Sequence, residues 1–196
     1  MKITNITNIP THNFKYGSHE DTKNIESNVF RDNYLTQGVF DGCWLGCTLS
    51  CAKAADNFEL YTGPYKGEKV TVDGPEYENA AGLGANLGCF DPHYILEANF
   101  YCDTYGIDII SFATATAFAM ESYEAGILDQ EKTGGLDLKF GNTTAVLELL
   151  HKMSRGDEFG KIVGQGVHRM KKYFIDNYNA DPEFVNDIGM EHKGLE

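Results

Sequence analysis

Basic side chains are scarce in this 196-residue chain: 16 Lys and Arg stand against 29 Asp and Glu, for a net charge of -13. With an isoelectric point near 4.8, it would be repelled by nucleic acid and by an anionic membrane surface. Long hydrophobic runs are missing too. No uninterrupted apolar stretch is of spanning length, and no repeat or low-complexity linker is visible. The cysteines number 5, an odd count that excludes complete pairing into disulfides. No hydrophobic leader follows Met1, so a reducing, cytoplasmic setting with free thiols is expected. The six histidines (His12, His19, His93, His151, His168 and His192) lack the H-E-x-x-H spacing of a zinc hydrolase, which leaves packing or surface roles. What remains is 42% apolar residues, enough for one sizeable core or two small ones.

Against these absences stand Cys43, Cys47 and Cys51, in GVFDGCWLGCTLSCAK. Thiolates are soft anionic ligands suited to iron-sulfur clusters, zinc or copper(I), and sulfur ligation of a cluster normally takes four. A structural zinc site usually shows two separated ligand pairs. No second pair follows here, so iron-sulfur is favoured over zinc. On a helix, this spacing places all three sulfurs on one face; a loop containing Gly42 and Gly46 could equally fold them around a cluster. Packing as small apolar side chains is the alternative.

Residues 1–20 are polar and interrupted by Pro10 and Gly17, which predicts an extended leading segment lying on other structure. Ile25, Val29 and Phe30 predict one amphipathic helix over 21–35, with Asp21 or Thr22 as N-cap. The run FELYTGPYKGEKVTVDG predicts a β-hairpin ending at Gly74. Helices are then predicted over 75–87, 92–105, 108–128, 142–154 and 167–178, with Pro75 and Pro92 in first turns and Asp91 and Asn142 as N-caps. The fold class expected is mainly α with a small β-hairpin. Residues 1–40 form the leading segment and helix, and 41–196 a helical domain carrying the cysteine loop. Arg169, Lys171 and Lys172 read as a solvated basic face.

Three further constellations carry possible chemistry. Ala113, Ala115, Ala117 and Ala119 make one helix narrow enough for a neighbouring backbone or a bulky ligand, or simply for tight core packing. Glu76 and Glu78 open a helix, where its dipole favours their ionised forms. In NFYCDTYGIDIIS, Asp103, Gly106 and Asp108 read as helix punctuation, with Gly106 a C-cap and Asp108 the next N-cap.

Taken in order, NIPTHNFKYG, the cysteine cluster, GPEYE at 74–78, GLGANLG, CDTYGIDIIS at 102–111, AFAMESYEAGIL, FGN at 140–142 and HKGLE at 192–196 resemble the aldehyde ferredoxin oxidoreductase family of tungsten- or molybdenum-pterin enzymes. The resemblance spans nearly the whole chain. It implies oxidation of aldehydes to carboxylic acids on a metal bis-pterin, with electrons leaving through a [4Fe-4S] cluster to ferredoxin. Cys43, Cys47 and Cys51 would be three of the four cluster thiolates. Asp103, Gly106 and Asp108 match the family's pterin-holding DxxGxD, with Asp103 accepting hydrogen bonds from the ring N–H groups; charge-assisted bonds of that kind orient a planar donor edge. Glu78 matches the glutamate beside the metal that assists water or proton transfer, a task suited to a dry pocket that raises its pKa. By the same resemblance, Glu97 and His151 are metal partners at a subunit contact, with packing as the default reading, and a homodimer is a possible assembly.

The departures are informative. The family's CxxCxxxC has one residue fewer in its first gap than the stretch from Cys43 to Cys47. Tungsten-pterin aryl-CoA reductases share the broad family, which keeps a thioester reductase open. The fourth cluster cysteine, in a downstream DxxGxC, and the β-rich domain that cradles much of the pterins are expected in a remainder of the oxidoreductase beyond this sequence, so an inactive fragment is the expectation for the chain by itself. A stand-alone iron-sulfur carrier or scaffold without pterin is the competing reading. Cys89 and Cys102 receive no ligand role.

Overall fold

A computed structural model of the chain describes residues 9–36, 42, 45–48 and 50–195. Within the described part of the leading segment, the stretch 11–16 is a tight turn rather than extended chain. Thr11 and Tyr16 pair across it, and His12, Asn13 and Phe14 are all left-handed, with φ of 54°, 56° and 62°. As expected, it lies on other structure: the His12 and Asn13 amides donate to the carbonyls of Ala85 and Asn86 at 3.3 and 3.0 Å. The single helix predicted over 21–35 is two pieces. A 3-10 turn, Glu20–Ile25, has His19 rather than Asp21 or Thr22 as its cap, since the Asp21 amide donates to the His19 ring. After an extended Glu26 comes α1, Ser27–Asn33. The break lets Ile25 and Phe30 both reach the core.

The hairpin forms from β1, Ala54–Glu59, and β2, Lys69–Asp73, paired antiparallel with Ala54 opposite Asp73 and Glu59 opposite Lys69. The register slips between Ala55 and Phe58, where Asn57 sits at φ 56°; an extra residue of that kind bends the strand.

The predicted helix over 75–87 is a correction. It divides into a single helical turn, α2 (Tyr77–Asn79), a π turn (Ala80–Gly84) and a 3-10 turn (Ala85–Leu87). Pro75 precedes the cap residue Glu76 and so lies outside the first turn. Glycine lowers helix propensity, and here tertiary contact wins: a methyl group at Gly82 would meet the Cβ of Ala113 at 3.1 Å.

The remaining predicted helices are present as α3 (Pro92–Tyr105), α4 (Ile109–Glu124), α5 (Thr143–Arg155) and α7 (Val167–Tyr178), joined by two short ones that periodicity missed, α6 (Glu158–Val163) and α8 (Pro182–Ile188). Asp91 and Asn142 cap as predicted, accepting from the His93 and Ala145 amides. The chain is mainly helical with one small hairpin.

The core centres on α4, buried from Phe112 to Ser122 on every side. A helix apolar all round belongs in an interior, and the alanine stripe serves packing. Phe118 stacks on Phe174 of α7 at 5.5 Å, and Phe174 in turn faces Phe159 of α6. Lys171 is buried rather than part of a solvated face: its Nζ meets Glu191 at 3.2 Å. Among the described residues, no helix is long and apolar enough to cross a membrane.

Candidate cofactor site

The segments singled out in the sequence converge in space. The Gly141 amide of FGN donates to the Leu87 carbonyl of GLGANLG at 2.8 Å, and Asn13 of the leading turn bonds the same segment. Two motif turns, GPEYE and DTYGID, are then fixed through α3.

Gly74 opens the first turn at φ +113°, a conformation that favours glycine. Its amide donates to the Lys53 carbonyl at 2.8 Å. Glu76 is committed to structure: its carboxylate pairs with Lys53 Nζ at 2.8 Å, and the same ammonium donates to the Cys51 carbonyl at 2.9 Å. Lys53 thus joins the cysteine loop to the glutamate turn. Glu78, two residues after Glu76, is exposed to solvent rather than enclosed.

In the second turn Gly106 ends α3 in the left-handed conformation, φ +67°, and Asp108 caps α4 by accepting from the Ser111 amide at 2.8 Å. Both punctuation readings hold. Asp103, in the last turn of α3, is exposed at the surface yet bonded through one oxygen, Oδ2, to Asn99 Nδ2 at 2.9 Å. Desolvation and the nearby Asp73 carboxylate raise its pKa, and the Asn99 bond opposes them. A groove of about 350 Å³ runs along the Asp108 side of the turn, lined by Gly106, Asp108, Ser111, Met153, Gln165 and Gly194. Gly194 belongs to HKGLE, which Glu191 holds in place: its carboxylate accepts from the Gly194 amide at 2.7 Å and meets Lys171 and His168, and these bonds pull its pKa down to about 2.

Cys43 lies outside the described residues. Cys47 is half-buried and Cys51 exposed, both free thiols. No cluster of three or more potential metal ligands forms among the described residues. Cys89 and Cys102 are buried free thiols; burial pushes the Cys89 thiol up to about 12 and raises Cys102 as well, which suits packing rather than ligation.

Glu97 and His151 do come together, through Thr62. Glu97 Oε1 accepts from the Tyr61 and Thr62 amides and from Thr62 Oγ1, at 3.1, 2.6 and 2.7 Å. His151 Nε2 meets Thr62 Oγ1 at 3.1 Å, and its Nδ1 meets the Tyr105 hydroxyl at 2.9 Å. Both ring nitrogens are therefore engaged, and burial holds the imidazole pKa below its ordinary value.

Sequence comparison supplies the context. A family profile described as aldehyde ferredoxin oxidoreductase, domains 2 and 3, matches residues 1–196. The chain belongs to the aldehyde ferredoxin oxidoreductase family. It is 36% identical to a tungsten-containing aldehyde ferredoxin oxidoreductase of Pyrococcus abyssi over 84% of this chain and 26% of that protein. To its counterpart in Pyrococcus horikoshii it is 35% identical over 78% of this chain and 26% of that protein. An aliphatic sulfonate oxidoreductase, WOR-like subunit, of Pyrococcus furiosus is 37% identical over 63% of this chain and 19% of its own length. The chain thus spans about a quarter of the curated oxidoreductases it matches. Among solved structures, the active site complex of a benzoyl coenzyme A reductase with 1,5-dienoyl-CoA shares the fold, with a TM-score of 0.53 and 21% identity over 76% of this chain and 20% of that one.

The residues missed in the sequence are Lys53, Asn79 and Asn99. Only Asn99 left a trace: it stands four residues before Asp103, hence on the same helical face, and with Glu97 it is a polar residue in a largely apolar run.

Proposed function

We propose that this chain forms the part of a tungsten-pterin aldehyde:ferredoxin oxidoreductase that grips one edge of the pterin and shelters the exit route for electrons. The observation that carries the reading is the joining of three motif segments in one place: Asn99 ties the Glu78 turn to Asp103, and Lys53 ties that turn to Cys51.

The residues present fit the groups such an enzyme uses. Asp103 is exposed, and the bond from Asn99 engages one of its carboxylate oxygens, Oδ2; a carboxylate held in this way suits a ring N–H edge. Gly106 leaves the adjoining backbone open, with nothing within 4 Å of the place a Cβ would take. Asp108 spends one oxygen on the α4 cap and keeps the other. Cys43, Cys47 and Cys51 are the soft donors for an iron-sulfur cluster, and Lys53 holds the carbonyl of the last of them. When bound, tungsten-pterin supplies two-electron chemistry at the aldehyde carbon, and a [4Fe-4S] cluster passes those electrons singly to ferredoxin. Glu78 is the group that would take or return the proton, since Glu76 is occupied by Lys53. The remaining pterin contacts, the fourth cluster thiolate and a homodimeric partner belong to this proposal as contributions from outside the chain. The sulfonate oxidoreductase relative makes aliphatic sulfonates the second substrate class to try.

The test is anaerobic isolation of the protein, in the assembly in which it occurs, from cells supplied with tungstate, followed by metal analysis and aldehyde-dependent viologen reduction. Tungsten and iron are expected with the chain. Glu78→Gln should abolish turnover at unchanged tungsten, and Cys51→Ser should lower iron. Isolation without either metal, or full turnover by Glu78→Gln, would sink the proposal.

A further inference from the structure

Asn99 is fully buried, and its side chain has three partners. Nδ2 donates to the Asp73 carbonyl at 2.9 Å and to Asp103 Oδ2 at 2.9 Å. Oδ1 accepts from Asn79 Nδ2. The orientation of the amide is fixed by chemistry, because a carbonyl and a carboxylate only accept; the NH2 end must face them, and the oxygen is left for Asn79. Neither hydrogen of the amide is spare. Gly74 closes the remaining side: a Cβ there would come within 3.1 Å of Asn99 Oδ1.

Each partner belongs to a different part of the site. Asp73 ends β2, Asn79 follows Glu78 directly, and Asp103 is the carboxylate of the DTYGID turn. One buried amide therefore joins the hairpin, the glutamate turn and α3. An exposed carboxylate on the last turn of a helix would otherwise sample several rotamers, and a single helical turn such as Tyr77–Asn79 has little stability of its own.

We infer that Asn99 is a positioning residue that sets the rotamer of Asp103 and holds the Glu78 turn at a fixed place beside it. Its consequence for catalysis rests on the proposed function; its local role does not. Aspartate at 99 could not substitute, since its second oxygen would face two acceptors.

Carboxyl and side-chain amide NMR of the purified protein tests the assignment. In the unaltered protein the Asn99 amide protons should shift with the Asp103 titration and not with that of Asp108. Asn99→Ala should raise the proton affinity of Asp103 roughly threefold to tenfold, leave Asp108 unmoved, and displace the backbone amide signals of Tyr77–Asn79. Asn79→Ala should leave the Asp103 titration in place. Asn99 amide signals that ignore Asp103 would overturn the inference without any variant needing to fold, as would an Asp103 titration unchanged in Asn99→Ala. In the tungsten-bearing protein, Asn99→Ala should lose tungsten toward the level of Asp103→Ala. Full tungsten in Asp103→Ala would refute the cofactor reading and leave the NMR result standing.

Discussion

Replacing Glu97 by alanine should destabilise the fold far more than replacing it by glutamine. Glu97 is 1% exposed and its Oε1 alone receives two backbone amides and the Thr62 hydroxyl. Truncation leaves the hydroxyl free to turn toward His151 Nε2, 3.1 Å away, but the amides of Tyr61 and Thr62 have no alternative acceptor in place. Orphaning a buried N–H costs about 1 to 3 kcal/mol, and Tyr61, half-exposed, admits some water. We expect a loss of about 3 kcal/mol for Glu97→Ala. Glutamine retains the oxygen and forfeits the charge and the 3.7 Å pairing with His93; its loss should be about 1 kcal/mol. Urea unfolding followed by circular dichroism measures both. Equal losses for the two variants, or a loss below about 1 kcal/mol for alanine, would show that the Tyr61–Thr62 connection does not depend on this acceptor.

Phe118→Ala removes a fully buried ring stacked between α4 and α7 and should cost about 3 to 5 kcal/mol, read in the same unfolding assay. Stability should also fall with mild acid. Burial holds His12 and His151 below the ordinary histidine value of 6.5, so between that value and their folded pKa the unfolded chain binds more protons. Their contribution is complete above pH 6.5 and is lost as pH falls through this window. Melting temperatures that stay level or rise from about pH 7 to about pH 5.5 would contradict this; His151→Gln should flatten the slope.

Local signals carried the long elements. Asp91 with Pro92, Asp108 and Asn142 each announced a helix start that the structure contains, because caps act within one turn and need no distant partner. The same kind of signal stood at Asp181 and Pro182, ahead of the overlooked α8, where seven residues are too few to show a period. Segment 75–87 misled for a different reason: its apolar residues suggested one helix, whereas the chain there breaks into α, π and 3-10 turns, with Gly82 packed close against Ala113. The site shows the same division. Asp103, Gly106 and Asp108 could be picked out as a motif, and two of them serve as caps just where the motif places them. Lys53 and Asn99 could not, since their importance lies in partners that only the folded chain brings near. Lys171 looked like a surface cation and is buried because Glu191 turns back upon it.

Among the described residues, Asn13 makes the side-chain hydrogen bond of greatest sequence separation. Its side-chain amide donates to Glu121 and to the Ile188 carbonyl, a partner 175 positions later. Its two partners lie on different helices, Glu121 on α4 and Ile188 on α8, so the amide is fully satisfied only once both are in place. The left-handed turn is therefore anchored in stages, by Ala85 and Asn86 through its backbone, then by Glu121, and lastly by Ile188, the contact of longest sequence separation. A chain-elongation pause before residue 188 would leave the leading turn without its contact to α8 while the earlier anchors hold.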